Sequence, residues 1–136
     1  MVEKTKLTLA GKRKSAVAKA TIQEGNGKVT VNKVPYENLT FFHKLLISEP
    51  IEITKKLLGN FNFDISVKIA GGGHEGQIDA ARIAISKALV AFTKSAELRK
   101  AFLEYDKGML VADTRRKETY KPGDSKARAK RQKSYR

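Results

Sequence analysis

The stretch that most constrains this chain is its last one, residues 114–136, TRRKETYKPGDSKARAKRQKSYR. It holds ten Lys or Arg residues against two acids, Glu118 and Asp124, and it contains no Leu, Ile, Val, Phe or Met. Such a segment has no core to bury. Ordering it costs about 1–2 kcal/mol of backbone entropy per residue with no apolar gain to offset the loss. Alone in water, residues 114–136 are expected to form an extended, mobile arm. A charged tail that is merely solvated is the plainer interpretation. An arm that becomes ordered on a polyanion is favoured, because the charge is dense and nearly of one sign. Residues 1–113 then read as a body that carries the arm to its target.

Of the net charge of +14, the arm carries +8 and the body +6. A field of that sign favours nucleic acid or an acidic membrane surface as partner. The arm lacks the amphipathic apolar face that a membrane-surface segment needs. The 136 residues are 40% hydrophobic, almost all of it in the body, enough for one modest core. The absence of cysteine excludes a disulfide framework and any cysteine-based metal site, and it fits a reducing cytosol. No apolar run approaches the length that spans a bilayer, and the opening residues MVEKTKLTLAGKRK lack the apolar stretch of a secretory signal. A soluble, cytoplasmic chain without a membrane role is expected.

Along the body, residues 2–9 alternate weakly and predict a short first strand, followed by a basic turn at Gly11, Lys12, Arg13 and Lys14. Ala16, Ala18, Ala20 and Ile22 fall on one side of a period-2 pattern that outweighs the helix preference of alanine. Glu24-Gly25-Asn26-Gly27 signals a hairpin returning through residues 28–31. Asn32-Lys33 reads as a turn, and residues 34–36 lead out of the sheet. Two short helices are expected, residues 39–47 and 51–58, divided by Pro50 and stopped by Gly59-Asn60. Residues 63–69 form the cleanest strand, with Phe63, Ile65, Val67 and Ile69 on one face. Residues 77–92 predict the main amphipathic helix. Ser95 is a candidate N-cap for a last helix closed by Gly108, and residues 109–111 are expected as one more short strand. These patterns define an α+β body: a largely antiparallel sheet covered by helices on one face.

Gly71-Gly72-Gly73-His74-Glu75-Gly76 matches the G-x-G-x-x-G form of a dinucleotide site. The context argues against that use. A hairpin comes first, no long second strand follows, and the region about 20 residues on still carries a helix pattern. Glycines at a helix start equally suit close approach of a polyanionic backbone, here at Gly72 and Gly73, or simple packing. His43 and His74 are too few and too far apart for a metal site. The carboxylates show no pairing for acid–base work, and no nucleophile sits beside a base. Neither an enzyme nor a cofactor is expected. Lys12, Arg13 and Lys14 are better placed for phosphate contact than for solvation alone, given the arm. Tyr120 and Tyr135 are rings among cations, suited to stacking on an unpaired base. A basic protein that packs nucleic acid without specificity is the competing class.

The segments GKRKSAVAKATI, GKVTVN, GGGHEGQIDAARIAISKAL and LVADTRRKETYKPGDSKARAKRQKSYR, in that order, resemble the family of the universal ninth protein of the small ribosomal subunit. The ending SYR is similar to the archaeal or eukaryotic form. The resemblance implies a four-stranded, mostly antiparallel sheet with helices on one face, like the second domain of the fifth small-subunit protein, plus a basic C-terminal tail that threads through rRNA. It implies binding to small-subunit rRNA in the head, beside neighbouring head proteins, in the cytoplasmic ribosome, and not as a free homo-oligomer. Carried over by motif, Lys12, Arg13, Lys14, Arg115, Arg116, Lys117, Lys121, Lys126, Arg128, Lys130 and Arg131 would face rRNA. Lys133, Ser134, Tyr135 and Arg136 would approach the anticodon stem-loop of the peptidyl-site tRNA. The penultimate tyrosine departs from the bacterial ending SKR and supplies no charge there.

Overall fold

Two stretches of alternation, Ala16–Glu24 and Phe63–Ala70, become the inner strands of the sheet. The computed structural model describes residues 5–124, 126–130 and 132–135. Strands β1 (Leu7–Arg13), β2 (Ala16–Glu24), β3 (Val29–Val31) and β4 (Val34–Pro35) precede helix α1 (Phe41–Leu58). Strand β5 (Phe63–Ala70) and helices α2 (His74–Thr93) and α3 (Ala96–Tyr105) follow. The sheet order is β1-β2-β5-β3-β4, antiparallel except for β3 against β5. Ala16, Ala18, Ala20, Ile22, Val29, Val31, Ile65 and Val67 face the helices and are buried. Among the described residues, the other face of the sheet carries no helix.

The α+β class and the single helical layer are as expected; the sheet differs in detail. It has five strands rather than four and contains one parallel pair. The turn after β2 does not close a hairpin. The Gly25 amide donates to the Asn62 carbonyl (3.0 Å), and the Asp64 carboxylate accepts from the amides of Asn26 (2.9 Å) and Lys28 (3.1 Å). The turn is thereby wrapped round the start of β5, which inserts between β2 and β3. The chain reaches parallel β5 only after α1, as a parallel pair requires a crossover. The expected Asn32-Lys33 turn is present. Both residues have positive φ (48° and 67°), the geometry of a two-residue hairpin loop. Strand β1 runs on to Arg13, so the basic turn shrinks to Lys14-Ser15, with Lys14 at φ 53°.

The two short helices expected around Pro50 are one helix of 18 residues. Ile47, Pro50, Ile51 and Thr54 are buried at i, i+3, i+4 and i+7, so the apolar stripe passes through the proline. Burial of that stripe outweighs the missing amide, whose cost in a helix interior is about 3 kcal/mol. Helix α2 begins three residues earlier than its apolar pattern suggests, at His74. Ser95 caps α3, its hydroxyl accepting from the Leu98 amide (3.3 Å). Of the residues expected as a last strand, Met109 instead ends a 3-10 turn, Lys107–Met109, started by Asp106, whose carboxylate accepts from the Gly108 amide (2.8 Å), and Leu110 and Val111 follow outside any strand. Arg82 of α2 joins the layer together: it pairs with Glu49 of α1 and with Asp106 (3.1 Å) at the end of α3.

Helix α2 lies close on β1 because Gly11 has no side chain. A Cβ there would stand 2.4 Å from the Ala80 carbonyl oxygen and 2.6 Å from the Ala84 amide nitrogen, both backbone atoms. We predict that Gly11→Ala lowers stability by about 1–3 kcal/mol, since helix and strand must separate. Denaturant unfolding measures this as a fall in midpoint at unchanged slope. An unchanged midpoint would show that α2 is not seated this closely.

Candidate nucleic-acid interface

Three separate stretches meet at one end of the sheet: the β1–β2 turn, the glycine loop before α2, and the root of the arm. Gly71 and Gly72 take positive φ (78° and 66°). A Cβ on Gly71 would meet the Ser15 carbonyl at 2.6 Å, and one on Gly72 would meet Ala16 at 2.9 Å. These two glycines therefore let the loop lie against the turn. Gly73 is different: a Cβ there would meet nothing, and it opens α2 in an extended conformation without a side-chain cap. Gln77 donates from Nε2 to the Gly71 carbonyl (3.0 Å) and from its amide to the Gly73 carbonyl (2.9 Å). His43 Nε2 lies 2.9 Å from Glu75 Oε1, tying α1 to the start of α2.

The arm leaves the body under electrostatic control. Arg13 lies between Asp113 (3.0 Å) and Asp79 (3.7 Å), and its side chain is only 18% exposed. Asp113 also holds Arg115, accepting from its amide (2.9 Å) and from its guanidinium at Nη2 (2.7 Å). Arg116 donates from Nη2 to the Lys14 carbonyl (2.9 Å). These hydrogen bonds from Arg115, with the charge of Arg13 behind them, hold the Asp113 carboxyl well below the ordinary carboxylate range. The sequence reading assigns Arg13 and Arg115 to rRNA and does not identify their pairing with Asp113. The signal available is an acid at the border between body and arm.

After the 3-10 turn at Lys107–Met109 no helix or strand occurs among the described residues. Lys117, Lys121, Lys126, Arg128, Lys130, Lys133, Ser134 and Tyr135 are all exposed, Tyr135 at 88%. Lys117 stands over the Tyr120 ring, 4.6 Å from its centre, and Arg128 pairs with Glu118 (2.8 Å). Lys12 and Lys14 are exposed at the turn. Arg131 and Arg136 lie outside the described residues. No helix among the described residues is long and apolar enough to cross a membrane.

The geometry defines a strongly basic α+β protein whose cationic turn, glycine loop and arm root share one end of the sheet. A family-wide sequence profile described as ribosomal protein S9/S16 matches residues 11–136. The chain is 46% identical over 129 residues to the small ribosomal subunit protein uS9 of Methanococcus vannielii, covering 93% of this chain and 95% of that protein. It is 47% identical over the same length to the protein of that name from Methanococcus maripaludis strain C7, with the same coverage. The chain belongs to the ribosomal protein S9/S16 family, a family of structural proteins and not of enzymes. The resemblance read from the motifs, in its archaeal-like form, is borne out.

The depressed Asp113 pKa gives the arm root a definite pH response. A group whose pKa falls on folding contributes above its unfolded value and loses that contribution as pH falls through the folded one. The clamp is therefore expected to persist through about pH 4, where most carboxylates protonate, and to open only in stronger acid. Asp113→Ala should release it at neutral pH. NMR relaxation of the residue 113–117 amides measures both, and a root equally ordered in wild type and variant at neutral pH would contradict this role.

Proposed function

We propose that this protein is a structural constituent of the small ribosomal subunit in the cytoplasmic ribosome, in which residues 1–113 dock on rRNA in the head and residues 114–136 thread between RNA segments. Its neighbours there are other head proteins. Membership in the family supports the subunit. The observation that carries the two-part division is the convergence of the β1–β2 turn, the glycine loop and the arm root at one end of the sheet. At that end Lys12 and Lys14 meet phosphate as exposed point charges, and the Gly73 opening of α2 offers free amides beside them. Gly72 contributes by bringing the loop down onto the turn. Arg13 and Arg115 fix the direction in which the arm departs, and Arg116 holds it to the turn.

Along the arm, Lys117, Lys121, Lys126, Lys130 and the guanidinium groups of Arg128 and Arg131 neutralise successive phosphates, the arginines as forks and the lysines as points. Lys133, Ser134, Tyr135 and Arg136 reach the anticodon stem-loop of the peptidyl-site tRNA. Tyr135, exposed as it is, provides a ring for stacking rather than a charge.

Deleting residues 114–136 is expected to leave the body folded while weakening rRNA binding. The slope of log affinity against log salt should become shallower by about 0.7–0.9 for each phosphate that the arm no longer neutralises. A truncated protein that melts far below full length, or binds with an unchanged slope, would refute the division. Removing Arg136 alone should spare subunit assembly and speed dissociation of peptidyl-site tRNA. Unchanged dissociation from such subunits would rule out that contact.

A further inference from the structure

The face of the sheet turned away from the helices has a composition that the fold does not require. Lys19 of β2 stands directly opposite Lys68 of β5 in the antiparallel register. Both are exposed. Directly opposed side chains lie about 5 Å apart at Cβ, and like charges so placed destabilise a sheet. Lysines commonly guard sheet edges, but β2 and β5 are inner strands, so no edge is protected here. Lys12 continues the charge along β1 toward the turn, opposite Val17. No ion pair ties Lys12, Lys19 or Lys68 to a carboxylate among the described residues.

A row of hydroxyls crosses strands β1, β2, β5 and β3 beside this pair. Thr8 faces Thr21, Thr21 faces Ser66, and Ser66 faces Thr30. The Thr8 and Thr21 hydroxyls are 3.0 Å apart. A shallow hollow next to this row is lined by Lys6 and Lys28 together with Thr21, Thr30 and Ser66. The one acid at its margin, Asp64, is occupied by the amides of Asn26 and Lys28. Hydroxyls donate to phosphate and 2′-hydroxyl oxygens, and lysines neutralise phosphates. The alternating positions from Thr8 to Lys12, Val17 to Gln23 and Asp64 to Ala70 present no aromatic ring. The face therefore lacks the stacking platform that single-stranded RNA uses. It also lacks the aromatic and Met anchors that form the centre of a protein–protein interface.

We propose that this open face docks a double-helical segment of RNA through its sugar–phosphate backbones, with Lys19 and Lys68 on phosphate and the Thr8-Thr21-Ser66-Thr30 row along the shallow groove. This rests on the reading of the protein as an rRNA-binding one and adds to it a second contact surface, continuous with the basic turn through Lys12, and the form of RNA that it takes. The lysine pair is kept for binding, at the expense of the free protein.

The test uses the full chain with Lys19→Gln and Lys68→Gln together, and a second variant with arginine at both positions. Binding is measured by fluorescence anisotropy across a salt series, against a blunt RNA duplex of about 16 base pairs and a single strand of equal length. The glutamine variant should bind the duplex about tenfold more weakly, with a salt slope lower by about 2, one for each lysine. Its affinity for the single strand should change less. Its thermal midpoint should hold or rise, because a repulsion has been removed. The arginine variant should bind the duplex like wild type. If wild type binds the duplex and the glutamine variant binds it equally, with the same slope, this inference fails and the rRNA reading stands. Equal weakening on duplex and single strand also overturns it, as does weakening confined to an acidic polypeptide such as polyglutamate. If wild type binds no RNA, both fail together.

Discussion

The structure depends on how closely α2 can approach the β1–β2 hairpin. On the sheet side the approach is made through Gly11 and the buried alanines Ala16, Ala18 and Ala20; α2 answers with Ala80, Ala81, Ala84 and Ala88, all fully buried. Small side chains on both surfaces bring backbone near backbone, and dispersion across such a contact is gained over many atom pairs rather than a few large ones. The close seating fixes where α2 begins. Its first turn falls beside the end of the hairpin, and the loop that leads into it must then cross the turn at contact distance. That is why positive φ and the absence of a Cβ coincide at Gly71 and Gly72. The larger apolar residues, including Leu89, Leu98, Phe102 and Met109, fill the space between the helices, while edge-to-face contacts of Phe63 with Phe61 and Phe92 (5.5 and 5.6 Å) close one end.

Charge on the body is sorted by the same arrangement. Its acids are largely taken up internally: Glu49 and Asp106 on Arg82, Asp79 and Asp113 on Arg13, Glu75 on His43, and Asp64 on backbone amides. Pairs of this kind add little to stability when exposed, on the order of 0–1 kcal/mol each. Their larger effect is spatial. With the carboxylates engaged on the helical side and at the arm root, the surplus of positive charge is left on the open sheet face, the turn and the arm. A net charge of +14 spread evenly would repel every part of the molecule alike; sorted in this way its positive field is concentrated on the open face, the turn and the arm.

What can be read from the sequence follows from the range of the forces involved. Alternation and helical stripes are local, so β2, β5, α2 and α3 are visible in it, as are the Ser95 cap and the Asn32-Lys33 turn. The order of strands is not local. The signal at residues 24–27 marks a turn correctly but does not say what the chain turns around. The pairing of β5 with both β2 and β3, with Gly25 bonded to Asn62 and the Asp64 carboxylate to Asn26 and Lys28, shows that a later strand enters there. Pro50 misleads for a related reason: it is a local breaker, and the burial that overrides it comes from other elements. The basic turn and the glycine loop are both recognisable, yet their contact with each other and with Asp113 requires the packed fold. Lys19 and Lys68 are distant in sequence and become a pair only through register.

The arm itself is less featureless than its composition implies. Lys121, Pro122, Gly123 and Asp124 form a turn in which the Asp124 amide donates to the Lys121 carbonyl (3.3 Å), with Gly123 at φ 83°. Proline at the second position and glycine with positive φ at the third is the type II pattern. The bend divides the cations into one run beside the body and another beyond it. Proline also narrows the conformations available to the chain, so less entropy is lost in any ordering of this segment. The exposed pair of Arg128 and Glu118 spans the bend. An exposed pair of this kind is worth on the order of 0–1 kcal/mol, and phosphate is a stronger bidentate partner for a guanidinium than a solvated carboxylate. Glu118 therefore positions Arg128 across the bend only weakly. Asp113 at the root sets the starting direction and the turn sets the change of direction, so the path of an arm with no core is defined at two points by contacts of the chain itself.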